Sequence, residues 1–203
     1  MTATRTSRRG AAFAVLCLAA FTINLDTTIV NVALPSLVRE LGATTSELQW
    51  VVDAYLLSFA ALVLAGGSLG DRFGRKGALL SGFALFGTAS AVGGLVDTPT
   101  ALAVVRALMG VGAALIFPAT LSIISNLYTE RHERARAIGI WGAMTGLGVV
   151  VGPIAGGWLL EHFWWGSVFV ALAPVAAVGL LATALFVPTS RDPSTPRLDL
   201  GGL

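Results

Sequence analysis

Residues 11–34 read AAFAVLCLAAFTINLDTTIVNVAL, an apolar run interrupted by a single charge, Asp26. A helix rises 1.5 Å per residue, and roughly 20 apolar residues cross a hydrocarbon core about 30 Å thick. The run is therefore long enough to span a bilayer. Arg5, Arg8 and Arg9 precede it, as they would in a secretory signal. However, no A-x-A cleavage pattern follows, Leu16 is a poor fit before Cys17 for a lipoprotein site, and the apolar stretch outruns a signal peptide. The expectation is a retained first membrane helix.

Five further stretches have the same character: Leu48–Leu69, Gly77–Val96, Thr100–Leu127, Ala137–Leu160 and Gly166–Val187. Of the 203 residues, 55% are hydrophobic and 12% charged, against about 25% charged in an ordinary soluble domain. Mean hydropathy is +0.81. Strands crossing lipid would need a closed barrel to pair their backbone groups, and the ten-residue alternation of a barrel is absent. The fold class read from the sequence is all-α: a polytopic six-helix bundle over residues 11–187, with a cytoplasmic segment at 1–10.

Eleven of the thirteen basic residues fall on one side of such a bundle. They are Arg5, Arg8 and Arg9; Arg72, Arg75 and Lys76; Arg131, Arg134 and Arg136; and Arg191 and Arg197. Arg39 lies on the other side and Arg106 within a span. By the positive-inside rule the N-terminus is expected to be cytoplasmic, with the cytoplasmic (inner) membrane the expected location. Trp50, Trp158, Trp164 and Trp165 then gather at the outer boundary as an aromatic belt, with Trp141 near the inner one. Residues 188–199, PTSRDPSTPRLD, turn polar and proline-rich and read as a linker. With Gly201, Gly202 and Leu203, the expectation for 188–203 is a cytoplasmic linker and the start of a seventh helix in a truncated chain.

Charge inside hydrocarbon is costly, at least about 2.5–3.5 kcal/mol at mid-helix, so intramembrane Asp26, Asp53 and Arg106 are functional candidates. Counted along their helices, Asp26 lies about 12 Å below the outer end, Arg106 about 9 Å and Asp53 about 8 Å. The similar depths of Asp53 and Arg106 lead to the expectation that these two meet, with Asp26 deeper. Asp26 is the candidate for exchanging protons or holding a cation, since burial favours its neutral form and an arriving cation or Arg106 its charged form.

Between the second and third spans runs Gly67-Ser-Leu69-Gly70-Asp71-Arg72-Phe-Gly74-Arg75-Lys76-Gly-Ala-Leu-Leu80. Its glycines permit close approach and tight turning. Asp71 can cap or face a helix N-terminus, and Arg72, Arg75 and Lys76 can pair with it or with lipid headgroups. In the fifth span, Gly148, Gly152 and Gly156 recur every four residues on one face, followed by Gly157, and Pro153 removes a backbone hydrogen bond. That face suits either a bending, rocking helix or a static packing surface. The fourth span places Gly110, Ala113 and Ala114 near Arg106, with Pro118 beyond.

Function classes fall away on composition. Cys17 is the lone cysteine, and His132 and His162 have no metal-ligand partners in the sequence. Phosphate loops, H-E-x-x-H and nucleophile–base motifs are missing, as is a basic stripe for nucleic acid. The expectation is a protein that is not an enzyme and that uses neither metal, cofactor nor nucleic acid.

These motifs together resemble the major facilitator superfamily. The stretch GSLGDRFGRKGALL matches its 2–3 loop signature, and GVVVGPIAGG in the fifth span resembles the signature shared by antiporters. Leu25-Asp-Thr-Thr-Ile-Val-Asn-Val-Ala-Leu-Pro35 and Gln49-Trp-Val-Val-Asp-Ala-Tyr55 are similar to segments of its fourteen-helix drug:proton antiporter branch. The resemblance implies that Asp26 takes part in proton or cation coupling, and that Arg106 is the buried arginine of the helix 4 motif. It further implies that Asp71 and its basic neighbours form a conformational latch against a second half of the transporter, and that Gly152 and Pro153 belong to an exchange-associated bend. Met109 stands where that motif often has Gln, and Leu172 where the family usually carries Asn. The implied activity is export of small lipophilic, cationic compounds, driven by a proton gradient, with the bilayer and a C-terminal half as partners. Another small solute, or a non-transporting half-bundle that pairs with a further chain, are the alternatives.

Overall fold

The computed structural model describes residues 2–189, with side chains from residue 8 onward. The side chain of Arg5, the expected linker and seventh-helix start from residue 190, and Arg191 and Arg197 lie outside the described residues. Helix α1 covers Thr2–Leu41, α2 Thr45–Phe73, α3 Arg75–Gly93, α4 Pro99–Leu127, α5 Arg131–His162, α6 Ser167–Val170 and α7 Leu172–Phe186. Among the described residues no strand forms. A single turn residue, Ala171, separates α6 from α7, and the two together make one apolar crossing, Ser167–Phe186.

Five crossings are long and apolar enough to span a membrane. The remaining helix, α3, is 19 residues long and gives its first turn to Arg75 and Lys76. All six expected spans are therefore helical, and several run beyond the apolar stretch that marks them. The local reasons for their ends are legible. Thr44 and Glu47 form a reciprocal capping box at the start of α2, with Thr44 N–H donating to Glu47 Oε2 at 2.8 Å and Glu47 N–H donating to Thr44 Oγ1 at 3.3 Å. Thr98 caps α4 ahead of Pro99, which needs no intrahelical partner for its missing N–H.

The 2–3 segment is not an open loop. Helix continues to Phe73 and resumes at Arg75, with only Gly74 between them. Gly74 sits at φ 114°, a region that L side chains rarely adopt. Its N–H donates to Gly70 O at 3.0 Å, and its own carbonyl accepts from Ala78 N–H at 3.1 Å. One residue reverses the chain because it is glycine.

The packing order is not the chain order. α4 lies against both α2 and α3, α1 lies against α5 and α7, and α1 also meets α4. Small residues allow these approaches. Gly66 abuts the Ala114 backbone, Gly67 faces Pro118, Gly82 meets Gly112, and Gly110 meets the Tyr55 carbonyl and Ser58. Ser90 Oγ–H donates to Phe169 O at 2.7 Å and ties α3 to α6. The outer surfaces of α2, α5 and α7 expose large apolar side chains, Leu57, Leu64, Ile154 and Leu181 among them. A water-soluble monomer rarely exposes so much contiguous apolar surface, whereas a bilayer solvates it. Trp50, Trp158 and Trp164 are exposed, in keeping with a belt. Trp165 is not part of it: its ring is buried, edge-on against Phe169 four residues further on.

Candidate functional site

The centre of the bundle holds one ion pair. Arg106 on α4 donates from Nη1 to both Asp26 oxygens, at 2.8 Å to Oδ1 and 2.7 Å to Oδ2. Asp26 is 0% exposed and Arg106 1%. The guanidinium is held further by Nε–H donating to Val51 O at 3.1 Å, and its carbon lies 4.2 Å from the Tyr55 ring centroid. Three helices thus converge: α1 brings the carboxylate, α4 the guanidinium, and α2 a carbonyl and an aromatic face. Met109, one turn along from Arg106, is fully buried and apolar. Val51 and Asp26 supply the polar partners that the helix 4 sequence lacks.

The expected Asp53–Arg106 pair does not form. Val51 faces inward and Asp53 is exposed, because two residues are about 200° of rotation on a helix of 3.6 residues per turn. The same carbonyl that grips Arg106 therefore turns Asp53 away from it. The depth difference of about 3 Å between Asp26 and Arg106 is small beside the reach of an arginine side chain.

Around Asp26, α1 is unusually polar, and much of that polarity is satisfied internally. Thr22 Oγ1–H donates to Leu18 O at 2.8 Å, Asn24 Nδ2–H to Ala20 O at 2.8 Å, and Thr27 Oγ1–H to Asn24 O at 2.7 Å. Such back-bonding competes with the helix ladder and promotes local bending. A cavity of about 150 Å³ opens beside this stretch, lined by Asn24, Thr27, Tyr55, Phe59 and Phe117 among others. Tyr55 stacks on Phe59, Phe59 meets Phe117 edge-on, and Phe117 leans on Trp141. Tyr55 touches both the cavity and the ion pair. Sequence reasoning gave it no role, although its position four residues after Val51 puts the two on one helix face.

The glycine face of α5 packs on the polar half of α1. Gly148 fits against Phe21, Asn24 and Leu25, Gly152 against Leu25 and Thr28, and Gly156 against Ile29 and Val32. A β-carbon at Gly152 would stand 3.0 Å from Leu25 O, next to Asp26 in the chain. Gly157 has open space around it, and Pro153 faces outward. Only three of the four glycines therefore belong to the seam.

At the other end of α2, Arg75 Nε–H donates to Asp71 Oδ1 at 2.6 Å, and Ser122 Oγ–H reaches the same oxygen at 3.2 Å. Asp71 therefore ties α2 to α3 and α4; α3 itself has no side-chain cap. Lys76 Nζ donates to Ala184 O at 2.7 Å, near the C-terminal end of α7. Arg72 lies over the exposed Phe73 ring at 5.4 Å, and Leu69 is exposed on the same segment. Gly70 and Gly74 are buried at the turn. His132 and His162 occupy the first and last turns of α5 rather than loops, and His162 stacks on Trp158.

The profile of the Major Facilitator Superfamily matches residues 16–202. The chain is 43% identical over 195 residues to the puromycin resistance protein pur8 of Streptomyces alboniger, covering 96% of this chain and 39% of that protein. It is 42% identical over 197 residues to the multidrug efflux pump LfrA of Mycolicibacterium smegmatis, covering 97% and 39%. Against the methyl viologen resistance protein SmvA of Salmonella typhimurium the identity is 41%, covering 92% and 38%. The chain thus spans about two-fifths of the length of these curated relatives. Among solved structures, a peptide transporter POT aligns with TM-score 0.76 at 20% identity, over 85% of this chain and 37% of that one. The proton:xylose symporter XylE aligns with TM-score 0.74 at 15% identity, over 89% and 45%. At these identities the two structures speak to fold alone.

Proposed function

This chain belongs to the major facilitator superfamily and is a multi-pass membrane protein, and on that footing we propose that it forms the first bundle of a proton-coupled exporter of small lipophilic, cationic compounds. Three relatives named for resistance or efflux support the direction and cargo class. The observation that carries the coupling is the buried Asp26–Arg106 pair, joined to a small cavity through Tyr55. An isolated buried carboxylate is tolerable when protonated or when paired, and costly otherwise. Asp26 has both options: a proton, or Arg106. A cationic cargo entering beside it adds a third. Competition among these partners makes proton release and cargo binding exchange for one another.

Transport proceeds by alternating access, with this bundle rocking against a second, C-terminal bundle around a midplane site. In that reading the α1–α5 glycine seam is the surface along which α1 shifts, and Asp26 sits on the moving element. The Gly67–Lys76 segment, held in shape by the Asp71–Arg75 and Lys76–Ala184 contacts, latches one state against the second bundle. Asp53, exposed on α2, serves at most an outer-mouth attraction for cations. The N-terminus faces the cytoplasm across the inner membrane, the proton gradient is the energy source, and no cofactor or metal takes part.

The test is dye transport in vesicles under an imposed pH gradient, comparing this bundle alone with the bundle joined to a second half. Gradient-driven movement of a lipophilic cation only in the joined form supports the reading. Movement by residues 1–203 alone refutes the need for a second bundle. Movement of neutral sugars but not cations refutes the cargo class.

A further inference from the structure

A cleft of about 820 Å³ lies at the basic end of the bundle, away from the ion pair. The beginning of α1, the first turn of α3, and the ends of α4 and α7 enclose it. Arg8, Arg9, Lys76 and Asn126 supply its polar wall; Leu127, Leu185 and Phe186 supply an apolar one. Among the described residues no carboxylate lines it.

One of the three cations, Arg9, is paired; Arg8 and Lys76 have no carboxylate partner among the described residues. Arg9 donates from Nη2 to Glu133 Oε2 at 2.6 Å, and its guanidinium carbon stands 4.1 Å over the Tyr128 ring, itself braced edge-on by Phe13. Lys76 is aimed by the Ala184 carbonyl, a neutral acceptor that leaves the ammonium charge uncompensated. Arg8 is exposed at the rim. Two positive charges, Arg8 and Lys76, therefore border a cleft whose third cation is already paired and fixed. The apolar wall runs on to membrane-facing surface, since Leu181, Leu185 and Phe186 are all exposed on α7.

We propose that this cleft binds an anionic phospholipid, the headgroup phosphate between Arg8, Arg9 and Lys76 and one acyl chain along Leu185 and Phe186. A small free anion would use the cations and leave the apolar wall bare. A zwitterionic lipid would use the wall and gain little from two net positive charges. Only a lipid with a net negative headgroup uses both. Basic pockets between helices on the cytoplasmic side are suited to such headgroups, at about 1 kcal/mol for each cation near the surface. By joining α1, α3 and α7 at the end where the Asp71–Arg75 contacts lie, the lipid ties the composition of the membrane to the stability of that end of the bundle.

The experiment is native mass spectrometry of the delipidated protein in detergent, titrated with phosphatidylglycerol, phosphatidylcholine or inorganic phosphate. One phosphatidylglycerol is expected to remain bound at concentrations where phosphatidylcholine does not. Arg8→Ala should weaken it about fivefold, as should Lys76→Ala, while Arg136→Ala, an exposed cation outside the cleft, leaves it unchanged. Because Arg8 is exposed, Arg8→Ala retains the fold, and circular dichroism checks this. Equal binding of the two lipids overturns the proposal, as does displacement of phosphatidylglycerol by inorganic phosphate. So does an equal loss in Arg136→Ala. If phosphatidylglycerol binds only after Asp192→Asn and Asp199→Asn, those carboxylates compete for the same cations, and the lipid assignment is wrong.

Discussion

Asp26 and Arg106, 80 positions apart in the chain, meet through two hydrogen bonds of 2.8 and 2.7 Å in the interior of the bundle. Paired with nearly complete burial, this makes each residue the condition for the other's charge. Removing one partner strands the remaining charge, and that asymmetry governs what mutation does here.

Arg106→Ala is expected to cost about 3–5 kcal/mol, because Asp26 then stays buried without its cation. The double variant Asp26→Ala with Arg106→Ala should cost less than the sum of Asp26→Ala and Arg106→Ala, since no charge is left behind. Thermal or denaturant unfolding in detergent gives all three values. Simple additivity of the two single costs would show that the pair is not coupled.

The α1–α5 seam separates two glycines five residues apart. Gly152→Ala drives a methyl into the Thr28 hydroxyl and to 3.0 Å from Leu25 O, and overpacking of this kind costs typically about 1–3 kcal/mol. Gly157→Ala meets nothing within 4 Å and should be neutral or stabilising by up to about 1 kcal/mol from helix propensity. Transport should fall in the first variant and persist in the second.

Gly74 is the one-residue link between α2 and α3. At φ 114° a side chain is strained, so Gly74→Ala should destabilise by about 1–3 kcal/mol. Gly77→Ala, three residues on with open space around it, should not. A comparison of melting temperatures for the two variants decides whether the turn conformation or the glycine content matters.

Membrane orientation is testable because Cys17 is the only cysteine and is buried. Replacing it with Ala gives a background for single-cysteine scanning. Cysteines at Arg72 and Arg134 should react with impermeant thiol reagents only from the cytoplasmic side, and one at Glu40 only from outside. The opposite pattern would invert the topology.

Much of this architecture is legible in the sequence, and the failures share a cause. Apolar length located all six crossings, and four-residue spacing placed Gly148, Gly152 and Gly156 on one face, because both signals are one-dimensional. An influence of Arg106 on Asp26 was legible, but the Asp53–Arg106 pairing was misread because depth along a helix axis was weighed without rotation about it: Asp53 has the right height and the wrong azimuth. The same accounting missed Tyr55, whose role follows from sharing a face with Val51. The 2–3 segment read as a loop because glycine and charge usually mark one. A single glycine at positive φ proved sufficient, and the charges found helix-bound partners in Asp71 and the Ala184 carbonyl.

The most direct test measures pH-gradient-driven export of a lipophilic cation in vesicles, with this bundle in a full-length transporter, for Asp26→Asn beside Asp53→Asn. Asp26→Asn is expected to abolish gradient-driven export while cargo still moves down its own gradient, and Asp53→Asn to retain most of the activity. Full gradient-driven export by Asp26→Asn would contradict the assignment of coupling to the buried pair.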